Sequence, residues 1–204
     1  MDWSEFWIEH AGERRDAGTF GPTFLPELLR VIRQYAPQAR HFLEWGAGLS
    51  TLLFARLAAE RQGSVVTIDH ESTYARSVMA RLGSRAPVRS ITADLTGPKL
   101  SQADPELNYS TLPLSLGGSF DFVFIDGRRR VECALTAFIL ALPGTIVVLH
   151  DYRRARYQPV AVLFETLEAG EHFRVLRRRF DLGRCIEEER GLLMRRLANG
   201  SGPS

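Results

Sequence analysis

Two cysteines, Cys133 and Cys185, a single lysine, Lys99, and no long apolar run mark this 204-residue sequence first by what it lacks. The cysteines share no CxxC spacing and are too few for a disulfide framework, which points to a reducing compartment. A spanning helix needs roughly 18 or more consecutive apolar residues, so no membrane segment is expected. The opening stretch "MDWSEFWIEHAGERRDAG" mixes acids and bases where a signal peptide needs an unbroken apolar core. Charge of one sign is also missing: 26 Lys and Arg against 24 Asp and Glu leave a formal +2, no whole-molecule case for nucleic acid. A cytoplasmic protein with neither a membrane nor a nucleic-acid partner is expected.

With 45% hydrophobic and 25% charged residues, the chain suits one globular domain. Residues 1–40 read as a helical segment capping it: Leu25, Leu28, Leu29, Ile32 and Tyr35 recur at helical spacing, Pro26 suits a first turn and Pro37 closes the run. Trp3, Phe6 and Trp7 are expected to pack on the sheet or on a second subunit of a homodimer, and Phe20–Phe24 to form part of a closing flap. From His41 short β-rich runs alternate with helical ones, "HFLEW" then "LSTLLFARLAAER", "SVVTID" then "STYARSVMARLG", "VRSITAD", "FDFVFIDG" then "VECALTAFILAL", "TIVVLHDY" then "QPVAVLFETLEA". Such alternation predicts βαβ units, and "FVFI" and "IVVL" read as parallel strands buried on both faces. The stretch from His172 to Leu197 predicts two more strands, an antiparallel edge guarded by Arg177–Arg179. Residues 95–119, rich in Pro and Gly, read either as a long loop or as a stretch hiding a short helix, a candidate lid or substrate contact, and 198–204 as a flexible tail.

Ligands of an open parallel sheet bind beyond the carboxyl ends of its strands. Gly46 and Gly48 follow the first of these strands, where their missing side chains let a ligand approach the backbone as Ser50 and Thr51 open the next helix. Asp69, ending "SVVTID", can accept both hydroxyls of a ribose. Glu44, just before the first glycine, would repel a pyrophosphate, and Thr51 stands where a dinucleotide fingerprint has its third glycine. A cationic ammonium and sulfonium suit the acid better. An NAD-dependent oxidoreductase is therefore the weaker reading.

The run "EWGAGLST" resembles the first motif of class I S-adenosylmethionine-dependent methyltransferases. A narrower likeness, through "FIDGRRR" followed by "HDY", is to bacterial small-molecule methyltransferase-like proteins. The resemblance implies a Rossmann-like, doubly wound α/β domain over residues 41–197, its seven-stranded sheet mostly parallel with an antiparallel C-terminal strand. It further implies that Glu44, Gly46 and Gly48 line the methionine half of S-adenosylmethionine, that Asp69 holds the ribose and that Asp94 approaches the adenine amine, with Ser50 also in the cofactor site. The activity implied is methyl transfer to a small oxygen acceptor; a catalytically silent cofactor-binding protein is the alternative.

Methyl transfer to a hydroxyl needs alignment and help with one proton. Asp126, His150 and Asp151 end the next two strands and are the catalytic candidates, His150 as general base because histidine titrates near neutrality. In catechol-type O-methyltransferases acids at these strand ends bind a divalent cation. Asp126 and Asp151 match in outline, but "HDY" lacks one usual oxygen ligand, so a divalent metal is the less favoured alternative. Arg128, Arg129 and Arg130 follow one strand and Arg153, Arg154 and Arg156 the next, two clusters expected to border one cleft and to engage an anionic acceptor through a few of them, Arg128, Arg130 and Arg153 first.

Overall fold

The computed structural model describes residues 24–93, 95 and 109–180. Helix α1 (Leu25–Tyr35) starts with proline in its first turn and buries Leu25, Leu28, Leu29, Val31 and Ile32, the helical stripe legible in the sequence. There follow β1 (His41–Trp45), α2 (Leu49–Glu60), β2 (Ser64–Asp69), α3 (Ser72–Met79), β3 (Val88–Thr92), a short α4 (Pro113–Leu116), β4 (Phe122–Ile125), α5 (Arg130–Leu140) and β5 (Ile146–His150). A 3₁₀ helix (Ala155–Val162), β6 (Phe164–Ala169) and β7 (Phe173–Arg178) complete the order. The seven strands lie in the order β3-β2-β1-β4-β5-β7-β6. The first five pair in parallel; β7 runs antiparallel to both β5 and β6. The expected fold class is the one found.

Because strand side chains alternate between faces, each face carries its own core. Phe42, Phe122, Phe124 and Val148 pack under α1 and α2. Leu43, Trp45, Val123, Val147 and Leu149 pack under α5 with Tyr109. Every residue of β4 and β5 is buried, as two-sided coverage requires. Among the described residues no helix is long and apolar enough to cross a membrane.

Three expectations change. "QPVAVLFETLEA" is not a crossover helix. Pro159 lies within the 3₁₀ turn, and the chain then extends as β6, which carries a register shift between Thr166 and Glu168; proline withholds the N–H that an α-helix would need. The antiparallel pair is thus β6 and β7, one element earlier than expected, and residues 181–204 lie outside the described residues. Nor do Arg177 and Arg178 guard an edge, since β7 sits between β5 and β6. Arg177 pairs with Glu165 at 2.8 Å, and the Arg178 guanidinium lies 4.6 Å from the Phe138 ring centroid.

Candidate active site

The strand order reverses between β1 and β4, so chain segments leave these strands in opposite directions and open a cleft at their carboxyl ends. A cavity of about 540 Å³ occupies it. One wall is the glycine turn from Gly46 to Ser50; beside it stand Asp69, His70, Glu71 and Tyr74 from the β2–α3 junction. The far wall is Asp126, Gly127, Arg128 and Arg130 after β4, with Asp151 and Arg154 after β5, and Phe24 closes the side next to α1.

The turn is held from behind. Gly46 has φ +98°, a conformation that favours glycine. The Gly48 N–H donates to Thr51 Oγ1 (2.9 Å), and the Thr51 hydroxyl donates to Glu44 Oε2 (2.6 Å). Ser50 Oγ donates to the other Glu44 oxygen and Thr67 Oγ1 to Oε2 (2.9 Å). Glu44 is fully buried on the face of Phe42 and lies outside the cavity lining. The expectation that it lines the methionine half is corrected: the acid organises the turn and acts on the cavity only across it. Burial pushes its carboxyl up to about 8, against the pull of the three hydroxyls.

Asp69 lines the cavity while anchoring it. Its Oδ2 accepts from the Ala47 N–H and its Oδ1 from the Glu71 N–H, both at 2.8 Å. Each oxygen keeps a lone pair for a further donor. Burial, then the carboxyls of Asp69, Glu44 and Asp126, raise the Tyr74 phenol, so it faces the cavity as a proton donor.

On the far wall the "IDGRRR" turn brings Asp126 to the same sheet face as Glu44, and Arg129 caps α5 in a left-handed conformation, φ +47°. This turns Arg130 inward, 6% exposed. Its Nη2 donates to Asp126 Oδ1 (2.8 Å) and Asp126 O (2.8 Å), its Nη1 to His150 O (2.7 Å) and its Nε to Gly127 O (3.0 Å). Nη1 also stands 3.2 Å from Asp151 Oδ2, which Arg154 reaches at 2.8 Å. Arg130 thus lines the cavity with its guanidinium engaged by its own chain. Arg153 is exposed and off the cavity; Arg154 takes the place expected for it. Among the described residues Arg128 makes no ion pair.

His150 also moves in meaning. It is 5% exposed, packs between Phe24 and Phe173 with ring centroids 5.3 and 5.4 Å away, and lies outside the cavity lining. Its Nδ1 is 2.6 Å from Asp126 Oδ1. It orients Asp126 from beneath the rim and is not placed to meet an acceptor. Asp94 and residues 96–108 of the 95–119 stretch fall outside the described residues, as do Trp3, Phe6 and Trp7; residues 109–119 are described and hold the short α4, and of Phe20–Phe24 only Phe24 is described, in the cavity wall. Cys133 is buried in the core of α5.

Sequence reasoning passed over His70, Glu71, Tyr74, Gly127 and Tyr109. The first two follow Asp69 directly, which was a readable signal; Tyr109 had none. It is fully buried, accepts from the Arg128 N–H (3.2 Å), and its carbonyl takes the Trp45 indole N–H (2.9 Å).

A family model described as a methyltransferase domain matches residues 43–152, from the core of β1 to just past Asp151. A catechol O-methyltransferase of Mycobacterium tuberculosis is 36% identical over 123 residues, 58% of this chain; the chain spans about half of that relative's length, 51%. Two solved structures share the fold. A methyltransferase-like protein from Silicibacter pomeroyi has TM-score 0.58 at 23% identity, covering 76% of this chain and 86% of that one. The SAH-bound Podospora anserina methyltransferase has TM-score 0.57 at 14% identity, covering 86% of each. With a family match over more than half its length and this sheet order, the chain belongs to the class I methyltransferase-domain family.

Proposed function

We propose that this protein is an S-adenosylmethionine-dependent methyltransferase acting on the oxygen of a small, anionic acceptor. One observation carries the reading: a single cavity joins the glycine turn and Asp69 to the carboxylates of Asp126 and Asp151. The residues fit the cofactor. A Cβ on Gly48 would meet nothing closer than Tyr74 Oη at 3.8 Å, so that glycine leaves its room to the ligand. Asp69 offers lone pairs to a ribose, and the acids around the cavity suit an ammonium and a sulfonium. When bound, the cofactor supplies a methyl group on a cationic sulfur, which keeps the C–S electron pair as a neutral thioether when the methyl leaves.

The chain's own part is to align the acceptor and remove its proton. Asp151, with a quarter of its side chain exposed against 8% for Asp126, is the acid that meets the acceptor. As the acceptor oxygen shares its electron pair with the methyl carbon it becomes positive, its proton turns strongly acidic, and the Asp151 carboxylate takes it. Arg130 and Arg154 hold that carboxylate in place. Asp126, fixed by Arg130 and His150, maintains the wall, and Arg128 at the rim supplies the charge for an anionic acceptor. The relative's catechol chemistry supports an oxygen acceptor.

Incubating the full chain with methyl-labelled cofactor and a panel of phenols, hydroxy acids and sugar acids tests this. Label in an oxygen-linked methyl product, lost in Asp151→Asn, is the expected result. Cofactor binding with no product from any acceptor would leave a binding protein and overturn the transferase reading.

A further inference from the structure

The position between Asp126 and Asp151, where the resemblance to catechol-type enzymes puts a divalent cation, is filled by a side chain. We propose that the Arg130 guanidinium is a built-in cation that replaces the metal, so that this site works without one. The inference rests on reading the cavity as a methyl-transfer site, and it reverses the family expectation about how that site is charged.

The guanidinium is engaged along its whole fork. An arginine has five N–H donors in a rigid fork; four hydrogen bonds here go to Gly127 O, Asp126 O, Asp126 Oδ1 and His150 O, and Nη1 forms an ion pair with Asp151 Oδ2 at 3.2 Å. Three of those partners are backbone carbonyls at the ends of β4 and β5 and in the turn between β4 and α5. A surface arginine could swing aside for an ion, but this one is tied to the main chain on two strands and begins α5. One oxygen of each carboxylate is also taken twice over. Asp126 Oδ1 is shared by Arg130 and His150, and Asp151 Oδ2 by Arg130 and Arg154. Two carboxylates already balance two guanidinium groups, and a hard dication needs several free oxygen ligands. Among the described residues no cluster of three or more His, Cys, Asp or Glu side chains could hold a metal.

A guanidinium does some of a metal's work and not the rest. It holds both carboxylates in place at the cavity wall, but it has no open coordination position with which to chelate two acceptor oxygens or acidify a hydroxyl. Acceptors therefore need no pair of adjacent oxygens, and Arg130 is a positioning residue.

Manganese titration followed by electron paramagnetic resonance tests this without cofactor or acceptor, so its outcome is independent of whether methyl transfer is ever observed. The full-length wild-type chain should leave the six-line signal of free Mn²⁺ intact into the millimolar range. Arg130→Ser, which removes the one guanidinium shared by both carboxylates, should bind Mn²⁺ at least tenfold more tightly, with one ion per chain, and Arg130→Ser/Asp151→Asn should lose that gain. Saturable binding by the wild type that Asp126→Asn removes would overturn the proposal, as would a folded Arg130→Ser chain that binds no better than wild type. If Arg130→Ser does not fold, the wild-type and Asp126→Asn titrations decide by the same criterion.

Discussion

Gly48 and Gly127 both line the cavity and should respond in opposite ways to the same methyl group. A Cβ on Gly127 would lie 1.9 Å from Tyr109 Oη and 2.9 Å from Gly46 N, against the 3.4 Å at which ordinary contact begins. Tyr109 is fully buried and held by Trp45 and the Arg128 amide, so the roughly 1.5 Å shortfall must be met by shifting core and turn together. Overpacking of this kind costs about 1–3 kcal/mol. At about 2–4 °C per kcal/mol for a chain of this size, Gly127→Ala should melt roughly 2–12 °C lower. Gly48 has extended backbone and open space around its Cβ. Gly48→Ala should therefore melt within about 1–2 °C of wild type, since its stability change stays within about 0.5 kcal/mol. Its methyl occupies room meant for the ligand, so S-adenosylhomocysteine should bind about tenfold more weakly, some 1.4 kcal/mol. Differential scanning fluorimetry and calorimetry read the two effects separately. A Gly48→Ala chain that melts like wild type and binds S-adenosylhomocysteine equally well would refute the placement of the ligand against this turn.

Three further outcomes follow from the site. Asp151→Asn should lower kcat by about 10²-fold or more, the usual contribution of a positioned base, while leaving cofactor affinity within about twofold; steady-state kinetics with calorimetry checks both. Arg128→Ala should raise KM for an anionic acceptor and leave that for a neutral analogue unchanged, which a matched pair of substrates separates. Glu44→Gln bears on pH. The folded chain holds a proton on Glu44 up to about 8, whereas its ordinary value is 4.5. Glu44 therefore contributes stability that is present below 4.5 and lost as pH rises toward 8. The variant cannot titrate, so its stability relative to wild type should climb with pH across that window, by at most about 1.4 kcal/mol per unit; urea melts at a series of pH values measure the slope.

Much of this molecule was legible because its physics is periodic. Helical stripes, apolar runs buried on both faces and acids at strand ends are local patterns, and β1 to β5 with α1, α2, α3 and α5 stand where those patterns put them. The misreadings have a common cause, orientation. "RRR" after β4 offers three like side chains, and only the left-handed Arg129 at the head of α5 decides that Arg130 turns inward while Arg128 stays at the rim. Glu44 ends an apolar strand covered on both faces, and nothing in "HFLEW" tells which face carries the acid; three hydroxyls from α2 and β2 settle it. His150 reads as a base by its chemistry, but it belongs to the same β5 face as Val148, beneath Phe24. "VLFETLEA" has helix-forming residues and becomes a sheet edge because β7 is there to pair with it, a tertiary effect that overrides propensity.

The central claim is that the cleft between the glycine turn and Asp151 takes S-adenosylmethionine. Isothermal titration of the full chain with S-adenosylmethionine, S-adenosylhomocysteine and NAD tests it most directly. The account predicts one equivalent of either sulfur nucleoside per chain, weakened in Asp69→Ala, and no heat from NAD. Binding of NAD with none from S-adenosylmethionine would contradict it.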